Sequence, residues 1–163
     1  ILGLPYPGGP LIDKHATMGN PKAYSFTKPK VPGLDFSFSG LKTAILYFVR
    51  KNTEIDPDFI HSNISDICAS VQHTIVEILM DKMKLAVVQT GISQVAIGGG
   101  VSANSGIRKA MTDARGNLGW KTFIPKFEYT TDNAAMIGIT AYFKYLEKDF
   151  TKLGETSKAR IEF

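Results

Sequence analysis

Val95-Ala-Ile-Gly-Gly-Gly-Val-Ser-Ala-Asn-Ser-Gly-Ile-Arg108 is the stretch whose reading decides the fold. An apolar run, Val95 to Ile97, breaks into Gly98, Gly99 and Gly100, and Ser102, Ala103 and Asn104 then lead into an amphipathic segment. The order reads as strand, tight turn, helix N-terminus. Glycines let a ligand approach the backbone with no Cβ in the way. The first turn of the following helix offers unpaired N–H groups and the positive end of its dipole, which suits a phosphate. Asn104 either caps that helix or reaches a nucleoside hydroxyl. Nucleotide binding is therefore the leading idea. The segment is not a Walker loop, because no Gly-Lys-Ser/Thr follows. It matches the looser dinucleotide pattern as Gly98-x-Gly100-x-x-Ala103, but the acid that pattern wants at the end of the next strand is missing: Pro125 closes that strand and Glu128 lies beyond it. The plain alternative is an ordinary strand–helix turn.

Working outward, Gln94–Ile97 is predicted as a buried strand, Asn104–Arg115 as a helix and Lys121–Ile124 as a second strand. Upstream, Asp56-Pro57 reads as a helix start. Apolar positions from Ile60 to Met83 then recur at helical spacing toward Thr90, with Gly91 as the stop and an interruption expected near Asn63 or Ser65. Leu41–Lys51 reads as a helix, and Leu34–Ser39 alternates Phe36 and Phe38 with serines as a one-faced strand does, Gly40 separating the two. Ile12–Met18 reads as a short helix ending at Gly19, behind the turn-rich Pro5–Pro10. Downstream, Asp132–Lys148 is predicted as a last helix capped by Thr131 or Asp132, followed by a signal-poor tail over 153–163. Strands alternating with helices imply an α/β fold with a partly parallel sheet. Ligands of such sheets sit at the carboxyl ends of the strands, so the glycine turn and Thr130–Asn133 are expected to share one crevice.

Bulk properties narrow the class. The 163 residues, 44% hydrophobic and 21% charged, suffice for one domain with a real core. No run approaches the roughly 20 apolar residues that cross a bilayer, so no membrane span is expected. The lone Cys68 forms no intramolecular disulfide and suits a reducing cytoplasm; mid-helix beside Ala69, it reads as a small core residue. Ile1-Leu-Gly-Leu4 lacks a signal peptide's length and charge and reads as a cut through a longer protein. A net charge of +4 permits a nucleic-acid partner. Arg50, Lys51, Arg108, Lys109, Arg115, Lys121 and Lys126 are candidates for RNA phosphates or simply a solvated basic surface. His15, His61 and His73 show no metal-ligand spacing.

Two further turns carry candidate chemistry. In Tyr6-Pro-Gly-Gly-Pro-Leu-Ile-Asp13, Gly8 and Gly9 can face a ligand while Asp13 hydrogen-bonds a ribose, or the segment is a structural turn. In Thr130-Thr-Asp-Asn133 the Asp132 carboxylate can bind a metal or cap the following helix, two uses that compete for the same oxygens.

Together, Tyr6–Asp13, Asp35-Phe-Ser-Phe-Ser-Gly-Leu-Lys-Thr43, Asp66-Ile-Cys-Ala-Ser70, Ala96–Asn104 and Thr131-Asp-Asn-Ala-Ala-Met-Ile137, in this order, resemble the tRNA N6-adenosine threonylcarbamoyltransferase family, once labelled a sialoglycoprotein endopeptidase. The likeness runs to about Phe150. It implies the C-terminal lobe of an actin-like, sugar-kinase-like ATPase fold, with a mixed sheet flanked by helices, over residues 1–163 with a tail from 150. It implies transfer of a threonylcarbamoyl group from threonylcarbamoyl-AMP to N6 of the adenosine next to the anticodon. By the same resemblance Gly9, Asp13 and Asn104 contact the adenylate (or ATP). Asp132 ligates one iron or zinc ion that polarises the donor. The implied partners are tRNA, the other proteins of the threonylcarbamoyladenosine synthesis complex and an N-terminal lobe, with self-association of the chain as a further expectation; the implied compartment is the cytoplasm. The family's remaining metal ligands lie in a His-x-x-x-His helix of its N-terminal half, a spacing absent from these residues. An isolated chain is accordingly expected to be inactive. A noncatalytic nucleotide- or partner-binding lobe is the alternative.

Overall fold

The computed structural model describes residues 1–156. It falls into two compact units, Ile1–Thr130 and Thr131–Phe163. The first holds helices α1 (Gly8–Ala16), α2 (Ser39–Ile55), α3 (Phe59–Thr90) and α4 (Ser105–Asn117) and strands β1 (Gln94–Ala96) and β2 (Lys121–Phe123). The second holds α5 (Ala134–Leu146).

Helix α3 is the spine of the first unit. Its residues Ile67, Val71 and Ile78 join Phe26 and Leu41 in one cluster, against which Tyr24, Phe48 and Phe59 pack. The Phe48 ring lies 4.9 Å from Tyr24 and 5.3 Å from Phe26, a tilted and an edge-on contact that aromatic quadrupoles favour. On another side Met80 of α3 meets Ile107, Met111 and Ala114 of α4 and Trp120, over the partly buried Val95 and Ile97. A helix used on more than one side explains why apolar residues recur along its whole length. Gly91 ends it in the left-handed conformation at φ 70°, donating its N–H to the Val87 carbonyl.

The sheet is a single parallel pair, Val95 facing Thr122 in register. Parallel pairing needs a crossover, supplied by a short 3₁₀ turn, Gly100–Ala103, and α4. The α/β reading and both strands stand, each strand one residue shorter than expected. The described residues contain this parallel pair rather than a mixed sheet.

Other expectations are corrected. Residues 34–38 form no strand, and Ser39 and Gly40 already belong to α2, because the serine–phenylalanine alternation finds no partner strand. The break near Asn63 or Ser65 is absent, and α3 runs unbroken for 32 residues. Its polar residues serve the N-terminal segment instead: Asp66 Oδ1 accepts the Asn20 N–H at 2.7 Å and Asn63 Oδ1 accepts the Tyr24 hydroxyl at 2.9 Å. Asp56 does not cap α3; its carboxylate accepts the Asp58 N–H at 3.0 Å and the helix starts at Phe59. Helix α1 begins at Gly8, earlier than Ile12. Helix α5 is capped by Asn133, whose Oδ1 accepts the Met136 N–H at 3.2 Å, and not by Thr131 or Asp132. Of the tail predicted over 153–163, positions 157–163 lie outside the described residues.

Candidate functional site

Two glycine-built helix starts flank the site. Helix α1 opens on Gly8 and Gly9, and a Cβ added to either would meet nothing within 4 Å. The same holds for Gly98, Gly99 and Gly100, of which only Gly99 needs glycine for its backbone, at φ 72°. Glycine costs a helix about 1 kcal/mol relative to alanine. Where neither packing nor dihedral requires it, the bare backbone is left open to an outside group.

Asp13 joins the two helices. Its carboxylate accepts the Ser105 N–H at 3.2 and 3.1 Å on its two oxygens, the Ser105 hydroxyl at 2.7 Å and an Asn104 amide hydrogen at 3.2 Å. A carboxylate at the first N–H of α4 is favoured by the helix dipole and fixes α1 against α4. Asn104 does both jobs its position allows. Its Oδ1 caps α4 by accepting the Ile107 N–H at 3.0 Å, while its Nδ2 donates to Asp13 and to Gln72 Oε1 at 2.7 Å. Gln72, on α3, is a site residue that the sequence reading missed. Its only signal is a polar side chain on a helix otherwise rich in apolar positions.

Beside this cluster runs a cleft of about 620 Å³, lined by Thr17 of the α1 C-terminus, by Gln72 and Val76 of α3, and by Ser105, Gly106 and Lys109 of α4. That volume falls within the range of small-molecule sites, and Gln72 and Ser105 connect it to Asp13 and Asn104. The structure thus brings Asp13 and Asn104 together, with Gly9 in the first turn of α1.

Asp132 belongs to the second unit. Because Asn133 caps α5, the competition for the Asp132 oxygens is resolved: among the described residues its carboxylate takes no hydrogen bond or ion pair. The described residues gather no trio of His, Cys, Asp or Glu able to hold a metal ion.

Three of the basic candidates, Arg108, Arg115 and Lys109, have structural employment. Arg108 donates to the Ser102 and Pro125 carbonyls at 3.0 Å each, bolting α4 to both strand ends. Arg115 holds Thr122, and Lys109 pairs with Asp113 at 2.7 Å. Cys68 is fully buried, and burial pushes its thiol pKa up, the opposite of an activated nucleophile. No helix of the described residues is long and apolar enough to cross a membrane.

Comparison with known proteins now gives this geometry a family. Residues 1–139 match the family model described as tRNA N6-adenosine threonylcarbamoyltransferase. The chain is 66% identical over all 163 residues to the protein of that name from Christiangramia forsetii, covering 48% of its length. It is 60% identical over 150 residues to the Cytophaga hutchinsonii protein, covering 92% of this chain and 44% of the relative. For Riemerella anatipestifer the figures are 52% over 162 residues, 99% of this chain and 48% of the relative. The chain spans about half the length of these curated relatives. With most of its residues inside the family model and its glycine turns and Asp13–Asn104 cluster in place, the chain belongs to the tRNA N6-adenosine threonylcarbamoyltransferase family.

Proposed function

We propose that this chain is the C-terminal lobe of a two-lobed, actin-like enzyme that transfers a threonylcarbamoyl group from threonylcarbamoyl-AMP to N6 of the adenosine next to the anticodon of tRNA. The observation that carries the reading is the Asp13 carboxylate seated on the α4 N-terminus between two glycine-built turns, in a chain of this family. Its own residues bind and orient. Gly9 and the Gly98–Gly100 turn let the adenylate approach the backbone. Asp13, already fixed by Ser105, keeps lone pairs for a ribose hydroxyl, and Asn104 holds Asp13 and α4 in register. Asp132 is proposed as one ligand of an iron or zinc ion whose other ligands come from outside this chain. The proposed partners are tRNA, the N-terminal lobe and the other proteins of the synthesis complex, acting in the cytoplasm.

Calorimetry of a non-hydrolysable threonylcarbamoyl-AMP analogue on the full-length protein tests the site. Asp13→Ala and Asn104→Ala are expected to weaken binding at least tenfold; unchanged affinity in both would remove them from the adenylate site. The second reading is a noncatalytic nucleotide-binding lobe in which Asp132 holds no metal. Metal analysis of full-length Asp132→Ala separates the two, since a transferase lobe loses bound metal and a scaffold does not.

A further inference from the structure

The motif Asp35-Phe-Ser-Phe-Ser-Gly-Leu-Lys-Thr43 serves neither the Asp13–Asn104 cluster nor Asp132. Its phenylalanines form no strand. Phe36 and Phe38 lie parallel, with centroids 6.3 Å apart and planes 7° from coplanar, and are 48% and 41% exposed. Single exposed aromatics need no explanation. Two parallel rings on a loop pinned at both ends are a different matter. At one end Lys82 Nζ donates to the Val31 and Gly33 carbonyls at 2.7 and 2.5 Å. At the other the Phe38 carbonyl accepts the Lys42 N–H at 3.0 Å at the start of α2. Phe36 also lines an apolar cavity of about 160 Å³ together with Gly98, Val101 and Ser102, so this ring of the pair abuts the glycine turn.

We infer that Phe36 and Phe38 form a stacking platform for an unpaired nucleobase of an RNA loop. Every base has a π-face that stacks on an aromatic ring, and RNA is recognised mainly where its bases are unpaired. The polar groups around the rings fit that occupant. The Ser37 and Ser39 hydroxyls, from residues alternating with the two phenylalanines, lie 3.3 Å apart and can donate to or accept from a base edge. Exposed Lys42 sits one helical turn past Phe38, where a backbone phosphate can be met. Exposed Asp35 repels a phosphate beside Phe36, which directs the contact through the base. An apolar protein segment is the competing occupant and would leave these hydroxyls and charges unused.

The inference rests on the reading of the chain as part of a tRNA-modifying enzyme, and the test separates the two. Fluorescence anisotropy of the full-length protein is measured with a labelled hairpin RNA carrying an unpaired loop adenosine and with a blunt duplex of equal length. The Phe36→Ala/Phe38→Ala double variant is expected to weaken hairpin binding about tenfold or more and to leave duplex binding and the melting curve unchanged. Phe36→Trp/Phe38→Trp is expected to keep hairpin binding, and 2-aminopurine in the loop to be quenched by wild type and the tryptophan variant but not by the alanine variant. If wild type binds no RNA, the substrate reading and the platform fall together. If wild type binds and the alanine variant binds equally well, the platform alone falls. Loss of a co-purifying protein with RNA affinity intact overturns it as well. Should the double variant misfold, Phe38→Ala beside Phe38→Trp provides the same comparison.

Discussion

Asp13 concentrates the site's chemistry in one side chain, because its two oxygens accept hydrogens from Ser105 and Asn104 while facing the positive end of α4. Replacing it with alanine removes the acceptor of a helix-terminal N–H and leaves the Asn104 amide one partner short. Asp13→Ala is expected to cost about 1–2 kcal/mol of folding stability, read by chemical denaturation, in addition to the adenylate affinity it loses. Asp13→Asn keeps an oxygen but not the charge and should fall between. Asp13 and Asn104 were legible in the sequence because each stands in or next to a glycine turn. Gln72 was not, since its role arises only when α3 passes beneath α4. Cys68 supplies a pH prediction of defined sign. Burial raises its thiol pKa above the ordinary 9.0, so the neutral form is favoured in the fold. That contribution is fully present below pH 9.0 and is lost as pH rises through the higher folded value. Thiol titration at pH 8 should be slow until denaturant is added, and Cys68→Ala should show a shallower alkaline loss of stability than wild type.

The elements were read from periodicity, and periodicity works where a residue's burial follows its own helix or strand. Helices α2, α3 and α4, both strands and the Gly91 stop were found this way. It fails where a residue answers to a distant segment. Asn63 and Ser65 looked like a weak point of α3 but, with Asp66, are the places where the N-terminal segment docks. Phe36 and Phe38 looked like one face of a strand, yet they stack on an exposed loop from which Phe36 reaches the glycine turn. The docking of α1 on α3 supplies the sharpest test at this scale. A Cβ on Gly19 would stand 2.1 Å from the Ser65 carbonyl oxygen and 2.3 Å from its carbon, backbone atoms that cannot swing aside. Gly19→Ala is therefore expected to cost about 3 kcal/mol, which lowers the melting temperature by roughly 10 °C in a chain of this size. A melting curve superimposable on wild type would show that the N-terminal segment does not close on Ser65. Gly106→Ala serves as a milder control, its nearest neighbour being the flexible Gln72 amide at 3.0 Å.

For the whole molecule, the governing fact is that the chain spans about half the length of its relatives. The structure assembles the Asp13–Asn104 cluster within the first unit; Asp132 is proposed as one ligand of a metal that needs several. Helix α5 carries one charged residue, Lys144, in its 13 positions. A helix that is apolar all round is ordinarily covered, so the isolated chain is expected to self-associate, seen as an apparent mass that rises with concentration in light scattering. Catalysis sets the stricter test. Incubated with threonylcarbamoyl-AMP, iron or zinc and unmodified tRNA, the 163-residue chain is expected to transfer nothing above background, while the full-length protein with its complex partners does. The isolated chain should nevertheless retain measurable adenylate affinity, because Gly9, Asp13 and Asn104 are assembled within the first unit. Turnover by the isolated chain would mean that these residues complete the reaction centre unaided. Loss of both binding and turnover would mean instead that the adenylate depends on the other half of the protein for its grip as well as for its chemistry.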